Sequence, residues 1–295
     1  MIGLLATALP GCSVRQYALS QAANALSGSS ASFATDDDPD LIGEAAPFSL
    51  KLMESVLTEA PRNVRLLTAA SRGFTQYAFA YVQQPGEVLE DRDVSGAQRE
   101  LKRARALYRR ARDYGLRGLE VGHPGFGAKL RTDARGAAAA LRRDDVPLAY
   151  WTGTAWAAHI SLSKDDPRTV GEIPQMEALV DRALELDEAF DAGAIHTFLI
   201  SYELARAQRK PDPTAAARGH FERAVQLSGG QLAGPYVSIA EAVDVAAQDR
   251  AAFEAHLQQA LAIDADAQPQ WRLANLIMQR RAHWLLSRTE QLIAQ

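Results

Sequence analysis

The chain has one cysteine in 295 residues, so it can form no internal disulfide, and pairing gives no reading of its redox compartment. It has little excess charge of either sign: 32 Lys and Arg against 36 Asp and Glu, a formal net of −4. Nucleic acid is therefore excluded as the main partner, because neutralising phosphates takes a concentrated basic surface. Beyond residue 12 the chain has no run of about 18 uncharged apolar residues, and so no segment there reads as a membrane-spanning helix. Alternation of apolar and polar residues never lasts more than a few positions, which leaves almost no strand signal. Catalytic signatures are missing too. The six histidines (123, 159, 196, 220, 256 and 283) show neither HExxH nor any other close metal-ligand spacing, and there is no GxSxG elbow and no GxxxxGK[ST] loop. No enzyme activity, metal or cofactor is expected.

The missing phosphate-binding loop decides the reading of "LSGGQ" at 227–231. Those letters match a signature of ABC transporter ATPases, where they open a helix whose N–H groups meet phosphate. Here the apolar face of "ARGHFERAVQLS" precedes the glycines. Gly229 and Gly230 are therefore expected to close a helix, since glycine takes positive φ at little cost. The acids of "TDDDPDL" (35–41), around a proline before a helical run, read as N-cap residues in preference to a cation site.

The single cysteine, Cys12, follows the short apolar run "IGLLATAL" and "PG". Leu9 and Gly11 ahead of it match the end of a bacterial lipoprotein signal. Cys12 is then the lipidation site, carrying a diacylglycerol and, on its freed amine, a further acyl chain of palmitate type. Several buried chains at about 0.8 kcal/mol per CH₂ anchor firmly where one would not. Such a signal ordinarily opens with positive residues, and none precedes Gly11. Either the start lies upstream or the signal is defective; the competing reading is a stray thiol in a short apolar N-terminus. Ser13 after the cysteine favours the outer membrane over the inner. Residues 1–12 are thus expected as signal, 13–39 as a Ser- and acid-rich tether, and 40–295 as a single domain.

From residue 40 onward the periodicity is helical. Leu67, Ala70, Phe74, Tyr77 and Tyr81 fall on one face, as do Leu101, Ala104, Tyr108 and Ala111 ahead of Gly115. The expected fold is all-α. An internal repeat runs through "VDRALELDEAF" (180–190), "FERAVQLSGGQ" (221–231) and "LQQALAIDADA" (257–267), with a looser copy at 53–63. Each aligned segment has an alanine (Ala183, Ala224, Ala260) before two apolar positions and a polar stop. The spacing of 41 and then 36 residues points to a degenerate tetratricopeptide-like array of helical hairpins, an α-solenoid. Small residues packed in an ordinary helical bundle give a similar pattern. The basic run of 99–117 reads either as a solvated helix face or as a surface for lipid headgroups or an acidic partner.

Five stretches carry a resemblance: "GFTQYAFAYV" (73–82), "YWTGTAWAAHISLSKDDP" (150–167), "GAIHTFLISYE" (193–203), "LSGGQLAGPYVSIAE" (227–241) and "WRLANLIMQRRAHWLLS" (271–287). In this order they resemble the TatT family, the tetratricopeptide-containing T-components of tripartite ATP-independent periplasmic (TRAP) transporters. The likeness runs from about residue 33 to the end. It implies a periplasmic lipoprotein that is not an enzyme. It also implies a homotrimer around a central opening and association with the substrate-binding P-component of a TRAP system.

The residues add candidates for a ligand or pore site. The segment "VPLAYWTGTAWAAHIS" is apolar nearly all round and so is expected to be covered on several sides. His159 on it reads as a core histidine. Trp151 either fills the core or lines a pocket, and the same two readings apply to Tyr77, Tyr81, Tyr150, His196, Tyr202 and Tyr236. Trp271 and Arg272 open the last long helix. Arg280 and Arg281 on it either hold a ligand carboxylate bidentately or salt-bridge Glu241 or another acid. Lys164, Asp165 and Asp166 present charge at a channel mouth or simply end a helix. The functional expectation is a membrane-tethered accessory protein that docks a substrate-binding protein and handles a small organic or apolar ligand. The alternative is a cell-envelope scaffold that binds no ligand.

Overall fold

The structure, a computed structural model, describes residues 21, 28, 32–206 and 211–294. The expected lipidation site Cys12, and the tether before residue 32 apart from residues 21 and 28, lie outside the described residues. All regular structure among the described residues is helical, as the 3.6-residue periodicity requires.

Several helices begin where short polar side chains cap them. Helix α1 (Pro39–Glu59) starts at Asp38, whose carboxylate accepts from the N–H groups of Asp40 and Leu41. Asn63 caps α2 (Val64–Ala78) and Asp93 caps α3 (Val94–Gly122). Two short helices, α4 (Phe126–Thr132) and α5 (Ala134–Ala138), lead to the apolar α6 (Val146–Ser161). Asp166 caps α7 (Pro167–Val170), which is followed by α8 (Ile173–Leu186) and α9 (Ala194–Ala205). Asp212 caps α10 (Pro213–Ser228), and α11 (Ala233–Ile239) follows. Asp249 caps α12 (Arg250–Leu261), and the chain ends with α13 (Arg272–Ser287) and α14 (Thr289–Leu292). Gly229 (φ 61°) and Gly230 (φ 73°) close α10. The Gly230 N–H reaches the Val225 carbonyl at 2.8 Å. LSGGQ therefore ends a helix.

Helices pack as neighbours in sequence: α2 on α3, α6 on α8, α9 on α10, and α11 on α12. One member of each pair, α2, α6, α9 and α11, together with α1 and α13, faces a common interior, while α3, α8, α10 and α12 lie outside them. The repeat alanines Ala183, Ala224 and Ala260 are wholly buried on the outer helices α8, α10 and α12, where a larger side chain would hold the pairs apart. Gly115 does the same for α3 against α6: a Cβ there would lie 2.0 Å from Thr152 Oγ1.

The circuit closes on itself, since α13 packs against α1. Four arginines of the C-terminal segment make this seam. Arg272 donates to the Thr35 carbonyl at 2.8 Å, Arg280 to Asp40 at 2.8 Å, and Arg288 to Asp91 at 2.6 Å. Arg281, only 7% exposed, donates to Glu87 at 2.7 Å and forms a two-pronged pair with Glu241. Burial alone would lower the Arg281 pKa. The charges and hydrogen bonds of Glu241 and Glu87 outweigh it and hold the guanidinium protonated.

The seam draws in part of the expected tether: Phe33 packs on the core between α1 and α2, and Arg272 holds the Thr35 carbonyl. The basic run of α3 is tied to neighbouring helices. Arg103 donates to Tyr77, Arg112 to Glu172, and Arg110 pairs with Glu54.

Arg281→Ala strands two half-buried carboxylates and should lower unfolding free energy by about 2–3 kcal/mol. Arg280→Ala cuts an exposed pair and should cost under about 1 kcal/mol. Urea unfolding of both variants checks this; equal losses would deny the buried clamp its role.

Candidate ligand cavity

The interior circuit lines a cavity of about 740 Å³, partly open to solvent, within the range of roughly 300–1,000 Å³ usual for small-molecule sites. Its wall is drawn from all six interior helices and Tyr108 of α3, is mostly apolar, and includes the aromatic rings of Phe33, Tyr77, Phe79, Tyr81, Tyr150 and Trp151. Phe198, Tyr202, Trp271 and Met278 complete it.

Several of these rings keep their polar atoms occupied elsewhere. The Tyr150 hydroxyl donates to the Ala194 carbonyl at 3.2 Å, the Tyr202 hydroxyl to Glu177 at 2.9 Å, and the Tyr77 hydroxyl accepts from Arg103 at 3.1 Å. These three phenols thus contribute apolar surface without leaving a hydroxyl to satisfy inside. Tyr81 stacks on Tyr77 with centroids 5.7 Å apart, and its buried hydroxyl has no hydrogen-bond partner. Burial, helped by the nearby Asp40, Asp36 and Asp38 and opposed by Arg280, pushes the Tyr81 pKa up to about 12, so the phenol stays protonated. Among the described residues it is an unpaired donor, covered from solvent beside the seam charges.

Two interior helices widen into π turns at the cavity. Phe79–Gln83 extends α2, and Ala240–Asp244 extends α11. Each wider turn fits one extra residue into the helix and re-aims its side chains. The first brings Phe79, Ala80, Tyr81 and Gln83 to the wall, and the second brings Glu241. Arg281 ties Glu241 of the second π turn to Glu87, just past the first, so both are fixed by one guanidinium.

Of the residues singled out from the sequence, Tyr77, Tyr81, Tyr150, Trp151, Tyr202 and Trp271 meet at this wall. The others stand elsewhere. Tyr236 packs edge-on to Phe221 in the core around α11, α12 and α13. Arg272 and Arg280 are seam residues, and Arg281 takes Glu241, one of the partners its position suggested.

His196 faces His220 across α9 and α10, their Nδ1 atoms 2.8 Å apart, with Glu188 3.5 Å from His196 Nε2. At that separation one ring donates and the other accepts, so at least one of the two is neutral. His159 is buried with Nδ1 3.1 Å from the Arg105 carbonyl, a core histidine as expected. Asp166 caps α7, its carboxylate accepting from the Arg168 N–H and the Thr169 hydroxyl.

Sequence reasoning missed Arg72, Phe79, Asp191, Phe198 and Met278 at the wall. Arg72 had one available signal: it is the only charged residue inside the run "LLTAASRGFTQYAFAY". Among the described residues, no group of three or more His, Cys, Asp or Glu is arranged to hold a metal ion. Among the same residues, no helix is long and apolar enough to cross a membrane.

Helices paired around an aromatic-walled cavity that is partly open to solvent are the architecture the fold defines. The family model of the TRAP transporter T-component matches residues 35–293, and the chain belongs to that family. It is therefore an accessory component of a TRAP transporter. An uncharacterized protein of Treponema pallidum (strain Nichols) is 27% identical over 257 residues, covering 86% of this chain and 80% of that protein.

Burial lowers the pKa of both His159 and His196. For His159 the positive Arg112 adds to this, and for His196 the Glu188 charge opposes it. Below the ordinary histidine pKa of about 6.5 the unfolded chain then binds more protons than the folded one, so stability present at pH 7 is lost on acidification. The urea midpoint should fall between pH 7 and 5.5, and His159→Gln, which keeps a donor for Arg105, should reduce that fall. An unchanged slope in the variant would contradict the assignment.

Proposed function

We propose that the protein is a non-catalytic lipoprotein of the periplasm, tethered through Cys12 to a membrane, with the outer membrane favoured. It docks the substrate-binding P-component of its TRAP system and holds or passes a small apolar ligand through the interior of a tetratricopeptide-type array, working as a homotrimer. The observation that carries this reading is the closed circuit of helices around an aromatic-walled cavity of about 740 Å³ in a chain of this family. An interior of that size lined by phenol and indole rings has the shape and chemistry of a small-molecule site. Protein contact is left to the outer helices and the rims. The apolar run, Leu9 and Gly11 ahead of Cys12 support the anchor, and several acyl chains would make it stable.

Purified P-component from the same cells should be retained by the immobilised protein, and no retention with or without ligand extracts would overturn the docking claim. Labelled palmitate should enter the wild-type chain and be absent from Cys12→Ser. Native mass measurement should return three copies per particle; a monomer at all concentrations would refute the trimer.

A further inference from the structure

We propose that the cavity takes an amphiphile with an anionic head, a carboxylate or phosphate, held by Arg72 where a second space borders the cavity, with its apolar tail in the interior. This rests on the reading that the cavity binds a ligand and specifies the ligand's class.

The charges on the wall lead to it. Among the described residues, three side chains of the Arg, Lys, Asp and Glu types line the cavity: Arg72, Asp191 and Glu241. Glu241 is already claimed from behind by Arg281. Among the described residues Arg72 is the only cation on the wall, and none of their ion pairs includes it. Its guanidinium instead meets the neutral Gln76 Oε1 at 3.3 Å and lies 5.4 Å over the Trp151 ring. A half-buried guanidinium set in an apolar wall with only a neutral acceptor and an aromatic face keeps an unused fork of donors. That fork matches a carboxylate or phosphate.

Arg72 also borders a second space. A second chamber of about 330 Å³ shares Ala69, Arg72, Trp151 and Asp191 with the main cavity. Its remaining wall includes Arg65, seven residues before Arg72 on the same face of α2 and exposed. No acid among the described residues lies within 4 Å of Arg65 either. The chamber therefore holds two guanidinium groups against one carboxylate and is net positive where it meets the Arg72–Trp151 pair, which also lines the apolar interior.

The opposing carboxylate, Asp191, sits in a left-handed backbone conformation (φ 47°), as do Ala192 (φ 53°) and Gly193 (φ 88°). Three such residues in succession fix the turn that places Asp191 on the shared wall. Its charge weakens an arriving anion. Asparagine fits the same backbone region, so Asp191→Asn removes the charge without forcing the turn.

Displacement of N-phenyl-1-naphthylamine, a neutral fluorophore, from the intact protein at pH 8 tests the proposal. Dodecanoate or dodecyl phosphate should displace it at about tenfold lower concentration than dodecanol, as a charge-assisted contact implies, and the tighter of the two identifies the head. Arg72→Gln should bring the anions to the dodecanol level while dodecanol is unchanged, which also shows that the variant is folded. Asp191→Asn should tighten the anions several-fold and leave dodecanol alone. Equal displacement by dodecanol and both anions, tightest binding by dodecyltrimethylammonium, or an anion preference that survives in Arg72→Gln would each overturn the proposal while leaving an apolar cavity site intact. Failure of the fluorophore and every dodecyl compound to bind would overturn the cavity reading as well.

Discussion

The fold depends on one buried guanidinium. Arg281 on α13 reaches back to Glu87 beyond the first π turn and to Glu241 within the second, fixing three interior helices at one point. Trp284, one turn on, lies between Arg281 and Arg288, with centroid distances of 5.0 and 4.9 Å, and Arg288 continues to Asp91. A buried ion pair contributes little net stability against an apolar substitute, because desolvation offsets most of its attraction. It does set position. The geometry of the forked pair allows one register of α13 against α2 and α11, and that register brings the two ends of the chain together.

Closure gives the interior its character. A row of helix pairs left open would present its concave side to water. Closed on itself, the same side becomes a cavity whose wall can be aromatic without exposing a large apolar patch. The phenols of Tyr77 and Tyr202 anchor their hydroxyls on the outer helices, and Tyr150 ties its hydroxyl to the Ala194 carbonyl, which leaves ring faces inside. The π turns provide the irregular spacing that a regular helix cannot, bringing Phe79, Tyr81 and Glu241 to the wall. The chain belongs to the TRAP transporter T-component family, and the proposed ligand site is read in that setting.

The helical class and its small-residue contacts were legible in the sequence, because both rest on local periodicity. Ala183, Ala224 and Ala260 are buried at the contacts their repeat implied, and Gly229 and Gly230 end a helix because nothing apolar continues the face beyond them. Aromatic residues on apolar faces could be named as wall or core, and Tyr77, Tyr81, Tyr150, Trp151, Tyr202 and Trp271 reach the wall. Seam contacts were hidden for a different reason. Arg272 meets Thr35 across 237 residues and Arg280 meets Asp40 across 240, separations on which periodicity is silent. The pairing of His196 with His220 likewise depends on how α9 lies against α10. Arg72 was obscured by its neighbours, since an apolar motif draws attention to its hydrophobic positions and away from the one charge inside it.

The central claim is that these helices enclose an apolar interior that admits a chain-like molecule. The most direct measurement is a crystal soaked with 12-bromododecanol and examined at the bromine absorption edge. The account predicts an anomalous peak inside the ring of helices, beside Leu50, Trp151 and Met278. Bromine found only on the outer faces of α3, α8, α10 or α12, with the interior filled by ordered water, would contradict it.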